Sequence, residues 1–285
     1  MASRVGSFTL AAKELYVSQG AISRHIAHLE DYLGVQLFDR CPREVKLTPA
    51  GALYAKEIQI AFDRIQRTTT TVRETRRRNS LRVGIFPSIA AYWLMPRLAR
   101  FRTAHPDIEL YITTTSHPDL DNGDLDIANY RGRLASSAVE YHPLFDVELQ
   151  PVCSPHLVNG ESNVDPEKIR GMLLLCSQNR IEDWQLWLDH AGVRGVDPNQ
   201  GLKFENSALV YQAAIDGLGI GIAHANVVQG EFMNRRLIAP FEPVVRTNET
   251  YGLAWLKSKS NLPGLMEFKD WFVAESATMG QYPPA

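Results

Sequence analysis

The sequence predicts a mixed α/β chain: a small N-terminal winged helix-turn-helix, a long linker helix, and a larger part of alternating strands and helices. Three observations predict this. The 285 residues, 45% hydrophobic and 22% charged, suit about two soluble domains at roughly 150 residues each. Charge is divided unevenly: residues 1–79 hold 13 Lys+Arg against 8 Asp+Glu, whereas residues 80–285 hold 17 against 24. A basic head on an acidic body directs any polyanion to the head alone. The apolar spacing is helical through the head, then breaks into short runs separated by helical stretches, the pattern of an α/β arrangement.

Other classes are excluded early. Cys41, Cys153 and Cys176 are scattered and odd in number, so no disulfide framework is implied and a cytoplasmic location fits. The opening MASRVGSFTL lacks the pattern of a signal peptide. No apolar run approaches the roughly 18 residues of a membrane span.

The head reads in order. Ser7 caps a helix carrying Phe8, Ala11, Ala12 and Leu15 at helical spacing. Tyr16-Val17 ends it, and Ser18 caps a second helix from Gln19 to Leu33. In that helix Ile22, Ile26, Leu29 and Leu33 form the apolar stripe, leaving Gln19, Ser23, Arg24 and His28 on or near the other side. Polar residues at the start of a second helix are what a helix-turn-helix needs, because that end enters the major groove and meets base edges. A plain helical hairpin with a solvated face has the same pattern. The wing separates the two readings: Gly34–Phe38 and Val45–Leu47 read as strands around residues 39–44, with Arg43 near the tip to reach a minor groove or a phosphate.

Thr48-Pro49 starts the linker helix, with Thr as cap and Pro at the first helical position. Along it Ala55, Ile58, Phe62, Ile65, Thr69 and Val72 form an imperfect heptad seam. So narrow a stripe is poorly stable alone, so pairing with a second copy is expected, with packing against its own chain as the alternative. Residues 76–80 form a charged break.

The run GSFTLAAKELYVSQGAISRHIAHLEDYLGVQLFDR, followed by VKLTPAG, resembles the signature of the LysR-type transcriptional regulators. LRVGIFPSIAAYWLMPRLARFRTAHPDIEL and AIDGLGIGIAHANVV extend the resemblance over nearly the whole chain. LMPRL with Trp93 beside it is similar to the branch holding the glycine-cleavage activator and the β-lactamase regulator. The resemblance implies operator DNA as partner, a small-molecule effector, a dimer through the linker helix, a homotetramer and contact with RNA polymerase. It also implies a two-lobed periplasmic-binding-protein-like effector domain. The expected boundaries are 1–50 for the DNA-binding head, 51–79 for the linker and 80–285 for the effector domain. Lobe I takes 80–146 and 246–277, and lobe II takes 147–245. Two positions depart from the family. Only Met1–Val5 precede the GSFT element, so either the start codon is placed too late or the first helix is truly incomplete, which would leave Phe8, Leu15 and Leu29 short of packing. Gly20 stands where Pro or Ser is usual. Gln19, Gly20, Ser23, Arg24 and Arg43 are the expected DNA contacts.

In the C-terminal part, strands are expected at Leu81–Phe86, Ile108–Ile112, Leu125–Ala128, Glu148–Cys153, Leu173–Cys176, Lys203–Glu205, Gly219–Ala223 and Tyr251–Trp255. A helix follows Ser88 to about Phe101, another spans Val210–Asp216, and the last lies around Gly264–Ala274. The sheet is expected to be mainly parallel. Two strand-to-helix junctions, at Ser88-Ile89 and Asn206-Ser207, offer helix N-termini to one cleft, which favours a small anionic or zwitterionic metabolite. A serine that merely caps its helix is the competing explanation at each. Asn129, following its strand, and Tyr251 complete the expected ligand contacts; a core or hinge role explains Tyr251 equally well.

Three motifs are set aside. Gly217-Leu218-Gly219-Ile220-Gly221 has its helix before and its strand after, the reverse of a dinucleotide loop. Cys153 and Cys176 lie in apolar runs, which favours buried inert thiols over redox sensing. The eight histidines form no metal-ligand pattern, and no catalytic signature appears, so neither a cofactor nor an enzyme is expected. Two other readings stand beside the regulator: a ligand-binding protein with a disabled head, and an enzyme on a two-lobed scaffold.

Overall fold

The computed structural model describes residues 2–40, 45–74, 79–132 and 136–277. The chain divides into two compact units, Met1–Arg77 and Arg78–Ala285.

In the first unit, a single helical turn α1 (Ala2–Val5) precedes α2 (Phe8–Glu14) and α3 (Gln19–Leu33). Ser7 and Ser18 cap as expected, accepting the N–H groups of Leu10 (3.3 Å) and Ala21 (3.2 Å). The turn between the helices puts Tyr16 in the left-handed region (φ +56°). Val17 N–H then returns to Ala12 O at 3.0 Å, satisfying a carbonyl that the helix end would orphan. Gly34, also left-handed at φ +69°, ends α3. Strands β1 (Phe38–Arg40) and β2 (Val45–Leu47) pair antiparallel, Phe38 opposite Leu47. β1 thus starts four residues later than the sequence suggests, because the Glu30 carboxylate takes the N–H groups of Leu37 and Phe38. The core of this unit is thin. Phe8 meets Phe38 edge-on at 5.3 Å, and Ile22, Ile26, Leu29 and Leu33 are only half-buried around them. Phe8 therefore finds its partner in the wing, while Leu15 stays exposed.

The linker helix α4 spans Pro49–Glu74. Thr48 caps it, accepting the Gly51 N–H at 3.0 Å while donating to Gln36 O at 2.8 Å. A Cβ on Gly51 would sit 1.9 Å from Leu37 O, so only glycine lets the helix start this close to the wing. Phe62 and Ile65 on the expected seam are 62% and 60% exposed.

The second unit is one eight-stranded mixed sheet with helices around it. Its elements are β3 (Ser80–Ile85), α5 (Leu98–Ala104), β4 (Glu109–Thr114), β5 (Ile127–Arg131), β6 (Val139–Val152), β7 (Leu174–Ser177), α6 (Asp183–Ala191), β8 (Leu202–Phe204), α7 (Ser207–Ile215), β9 (Ile220–His224), α8 (Gln229–Met233), β10 (Val245–Leu256) and α9 (Leu265–Ser276). The order across the sheet is β4-β3-β5-β10-β6-β9-β7-β8. Each flank is parallel as expected, but the centre is an antiparallel pair of long strands, β6 and β10. β10 borders β5 on one side, and the end of β6 borders β9 on the other, so these two strands tie the flanks into two lobes of one sheet.

Both long strands exceed the sequence reading. Pro143 hides the first half of β6: it has no N–H to donate. It is accommodated opposite Gly252, beside a register shift. Pro96 acts similarly on the helix after β3, which becomes a π turn at Ile89–Leu94, a 3-10 turn at Met95–Arg97 and only then α5. Aromatic side chains fill each lobe: Trp93 on Phe272 at 4.3 Å in one, Trp187 on Phe241 at 5.4 Å in the other.

Candidate functional site

Two strand-to-helix junctions face one cleft in the second unit. At the first, Phe86 serves as the cap residue: its carbonyl accepts the Ala90 N–H at 2.9 Å, and Pro87 takes the first helical position. The Phe86 N–H donates to Asn129 Oδ1 at 2.6 Å. Ser88 is therefore already helical (φ −68°, ψ −42°) and makes no capping bond, contrary to the expectation that it caps. At the second junction Asn206 is the cap, its Oδ1 accepting from Ala208 (3.1 Å) and Leu209 (3.3 Å). Ser207 is the first residue of α7. Neither serine spends its hydroxyl on the end of its own helix.

The cleft encloses about 360 Å³. One wall holds Phe86, Pro87, Ser88, Ser116–Pro118, Tyr130 and Arg131; the other holds Asn179, Arg180, Asn206 and Ser207, with Tyr251 from the shared strand β10. Of the six expected ligand contacts, the structure brings four together here: Ser88, Asn206, Ser207 and Tyr251. Ile89 is 1% exposed and belongs to the hydrophobic core, because the π turn aims it inward. Asn129 is also outside the lining. It does not follow its strand but lies within β5, which continues to Arg131 because β10 pairs along it, Leu253 opposite Asn129. Its carboxamide is fully buried, holding Phe86.

Charge in the cleft is supplied by two guanidinium groups, each beside an acid. Arg131 Nε lies 3.3 Å from Glu249 Oε2. Arg180 grips Asp183 through Nε and through Nη2, the latter at 2.9 Å, and its Nη1 donates to the Tyr251 hydroxyl at 3.2 Å. Burial raises the Tyr251 phenol above its ordinary range, against the pull of Arg180 and Arg131. His224 stacks near Tyr251 with ring centroids 5.3 Å apart. Burial, then Arg180 and Arg131, holds its imidazole well below the ordinary value, so it is neutral. Contacts between the lobes include Asn179 Nδ2 donating to Ser116 Oγ at 2.8 Å and the Tyr92 hydroxyl donating to Ala208 O at 3.3 Å.

The motifs set aside fall elsewhere. Gly217 is left-handed (φ +77°) just past the end of α7. Cys153 is buried, which pushes its thiol up to about 12, and burial raises Cys176 as well. Among the described residues no group of three or more His, Cys, Asp or Glu is placed to hold a metal ion.

On the head, Gln19, Gly20 and Arg24 are exposed along the first turns of α3 and Ser23 is half-buried beside them. Arg43 lies outside the described residues. At the far end of α3, the buried Glu30 accepts from Leu37 (2.7 Å) and Phe38 (3.1 Å), joining this helix to the wing.

Two family models match this chain. "Bacterial regulatory helix-turn-helix protein, lysR family" covers residues 1–52, and "LysR substrate binding domain" covers residues 74–277. The chain belongs to the LysR family of transcriptional regulators. This LysR-type regulator is 35% identical to the glycine cleavage system transcriptional activator of Escherichia coli K12, over 97% of its length and 91% of the relative's. It is 32% identical to the transcriptional activator AmpR of Rhodobacter capsulatus, over 97% of its length and 94% of the relative's. The effector domain of AmpR from Pseudomonas aeruginosa superposes with a TM-score of 0.59 at 28% identity, covering 70% of this chain and 96% of that one. Full-length AphB of Vibrio cholerae shares the fold, with a TM-score of 0.54 at 20% identity over 95% of this chain and 94% of that one. The protein is thus a DNA-binding transcriptional regulator with an effector-binding domain, not an enzyme, and neither alternative reading finds support. Regulators of this family bind operator DNA and small-molecule effectors and form oligomers.

Among the residues of this LysR-type regulator that sequence reasoning missed, three carry a local signal. Glu30 has a signal: it falls in register with Ile22 and Ile26, at steps of four, where an acid is out of place unless partnered. Arg180 and Asp183 also have one, since an Arg three residues before an Asp at a helix start is spaced to pair. Nothing local links Arg180 to Tyr251, 71 residues away in sequence.

Proposed function

We propose that this regulator recognises its operator through Gln19, Gly20, Ser23 and Arg24 of α3, with Arg43 at the wing, and reads a small carboxylate or zwitterionic metabolite in the cleft. The observation that carries the second part is the meeting of two helix starts from opposite lobes, with the Ser88 and Ser207 hydroxyls uncommitted to capping. Backbone N–H groups at helix starts favour an anionic oxygen. Because Arg131 and Arg180 each already face an acid, a singly charged group suits the cleft better than a polyanion. Asn206 and Tyr251 complete the contacts, and Asn129 acts through Phe86.

The functional divisions follow: residues 1–50 bind DNA, 51–79 link and dimerise, and 80–285 sense, with the lobes exchanging near 147 and 245. The exposed Phe62 and Ile65 of α4 support a dimer along that seam, and two dimers make a tetramer. Effector binding shifts the relation of the lobes only insofar as it favours one state over the other. Contact with RNA polymerase at the promoter, in the cytoplasm, completes the reading. Nuclease footprinting of DNA upstream of its own gene tests it. Protected half-sites separated by whole helical turns are expected, and uniform cleavage contradicts the reading.

A further inference from the structure

We propose that Arg180, braced by Asp183, is a positioning residue that fixes the Tyr251 hydroxyl as a hydrogen-bond donor, so that the cleft selects an effector with an acceptor oxygen at that point. The proposal rests on the effector cleft described above and adds the polarity of one of its contacts.

A guanidinium carries five N–H donors and no acceptor. Arg180 directs Nε and Nη2 to the Asp183 carboxylate, and that fork fixes the plane of the group. Its Nη1 then meets the Tyr251 oxygen at 3.2 Å. In that bond the tyrosine is necessarily the acceptor. Its own proton must therefore point away from Arg180, and no acceptor for it is found among the described residues. Tyr251 lines the cleft, and its ring is wedged between Phe86 at 5.8 Å and Phe145 at 5.3 Å, so the hydroxyl is held in place. Arg180 comes from one lobe and Tyr251 from the strand shared by both, so the bond also ties this polarity to the spacing of the lobes. The side chains of the pair are 9% and 11% exposed. A charged pair that buried leaves its geometry little freedom, and replacing one partner alone strands the other.

The test uses the full-length protein and isothermal titration with glycine, L-alanine and D-alanine against their amides, which keep the ammonium group but replace one carboxylate oxygen with a donor. The wild type is expected to bind at least one carboxylate and to prefer it to its amide. Tyr251→Phe removes the donor and should cost that carboxylate roughly ten- to a hundredfold in affinity, the amide less. Arg180→Gln offers the tyrosine an acceptor, letting its proton turn inward, so the carboxylate-to-amide ratio should fall by roughly tenfold. Arg180→Lys, donor only, should weaken both ligands alike and keep the ratio. A merely structural Arg180 would lower both affinities together in the Gln variant, and that result overturns the proposal, as does absence of binding by every carboxylate tested. If Arg180→Gln does not fold, Tyr251→Phe decides by the same ratio. Operator binding, measured on the wild type separately, reports on the regulator reading and is independent of each of these outcomes.

Discussion

The carboxylate of Glu30 accepts the backbone N–H of Leu37 at 2.7 Å and, through the same oxygen, that of Phe38 at 3.1 Å. One side chain thereby ties the recognition helix to the wing and satisfies two N–H groups that have no strand partner. Glu30→Ala should destabilise the head by about 2–4 kcal/mol, since two buried donors lose a charged acceptor. Glu30→Gln keeps an acceptor oxygen and should cost less than half as much. Hydrogen exchange of the Leu37 and Phe38 amides checks both; unchanged protection in the Ala variant would remove Glu30 from the account.

Gly51 makes a second demand at the same place. A methyl group there would lie 1.9 Å from the Leu37 carbonyl oxygen, so either the linker helix or the wing must shift. Gly51→Ala is expected to lower stability by about 1–3 kcal/mol, although alanine is the better helix former by up to about 1 kcal/mol. Chemical denaturation of the full chain gives the sign. A stabilised variant would mean that the helix start can move freely.

His224 should make the second unit sensitive to mild acid. Its folded pKa is depressed by burial and by Arg180 and Arg131, so on acidification the unfolded chain takes the proton first. Stability is therefore complete above the ordinary value of about 6.5 and declines as pH falls below it, by up to about 1.4 kcal/mol per unit from this group. Thermal melts between pH 7.5 and 5 should slope more steeply in the wild type than in His224→Gln. Parallel slopes would show that His224 does not carry the effect.

The seam on α4 predicts an assembly change. Phe62→Glu places a charge on the exposed part of the apolar stripe, and two such charges would face each other in a dimer. Sedimentation should show a shift to smaller species at micromolar concentration with the folded content of the second unit retained. An unchanged distribution would assign oligomerisation to another surface.

The sequence made the helix-turn-helix legible because its signals are local: Ser7, Ser18 and Thr48 are caps, and all three cap. Strand positions in the sensing domain were legible for the same reason, through short apolar runs. The long central strands were not, since Pro143 and the polar residues around it mask β6, and only the pairing with β10 holds it extended. At the cleft, the sequence marks both junctions as helix starts but not which residue caps each. Capping depends on which residue first turns helical, and Pro87 moves that point ahead of Ser88. The place of Asn129 is not legible locally, because it is set by pairing with β10 and by the Phe86 N–H, 43 residues earlier. Arg180 was invisible because its meaning lies in a contact between lobes.

The proposed function stands on sequence-specific binding of operator DNA by the face of α3 that carries Arg24. Fluorescence anisotropy should be measured with labelled DNA from immediately upstream of the gene, against scrambled DNA of equal length, across a salt series. Binding should exceed the scrambled control and weaken as salt rises, with Arg24→Ala losing about 1–3 kcal/mol on the operator and less on the scrambled duplex. Equal affinity for both duplexes, or an operator affinity that Arg24→Ala leaves unchanged, would contradict it.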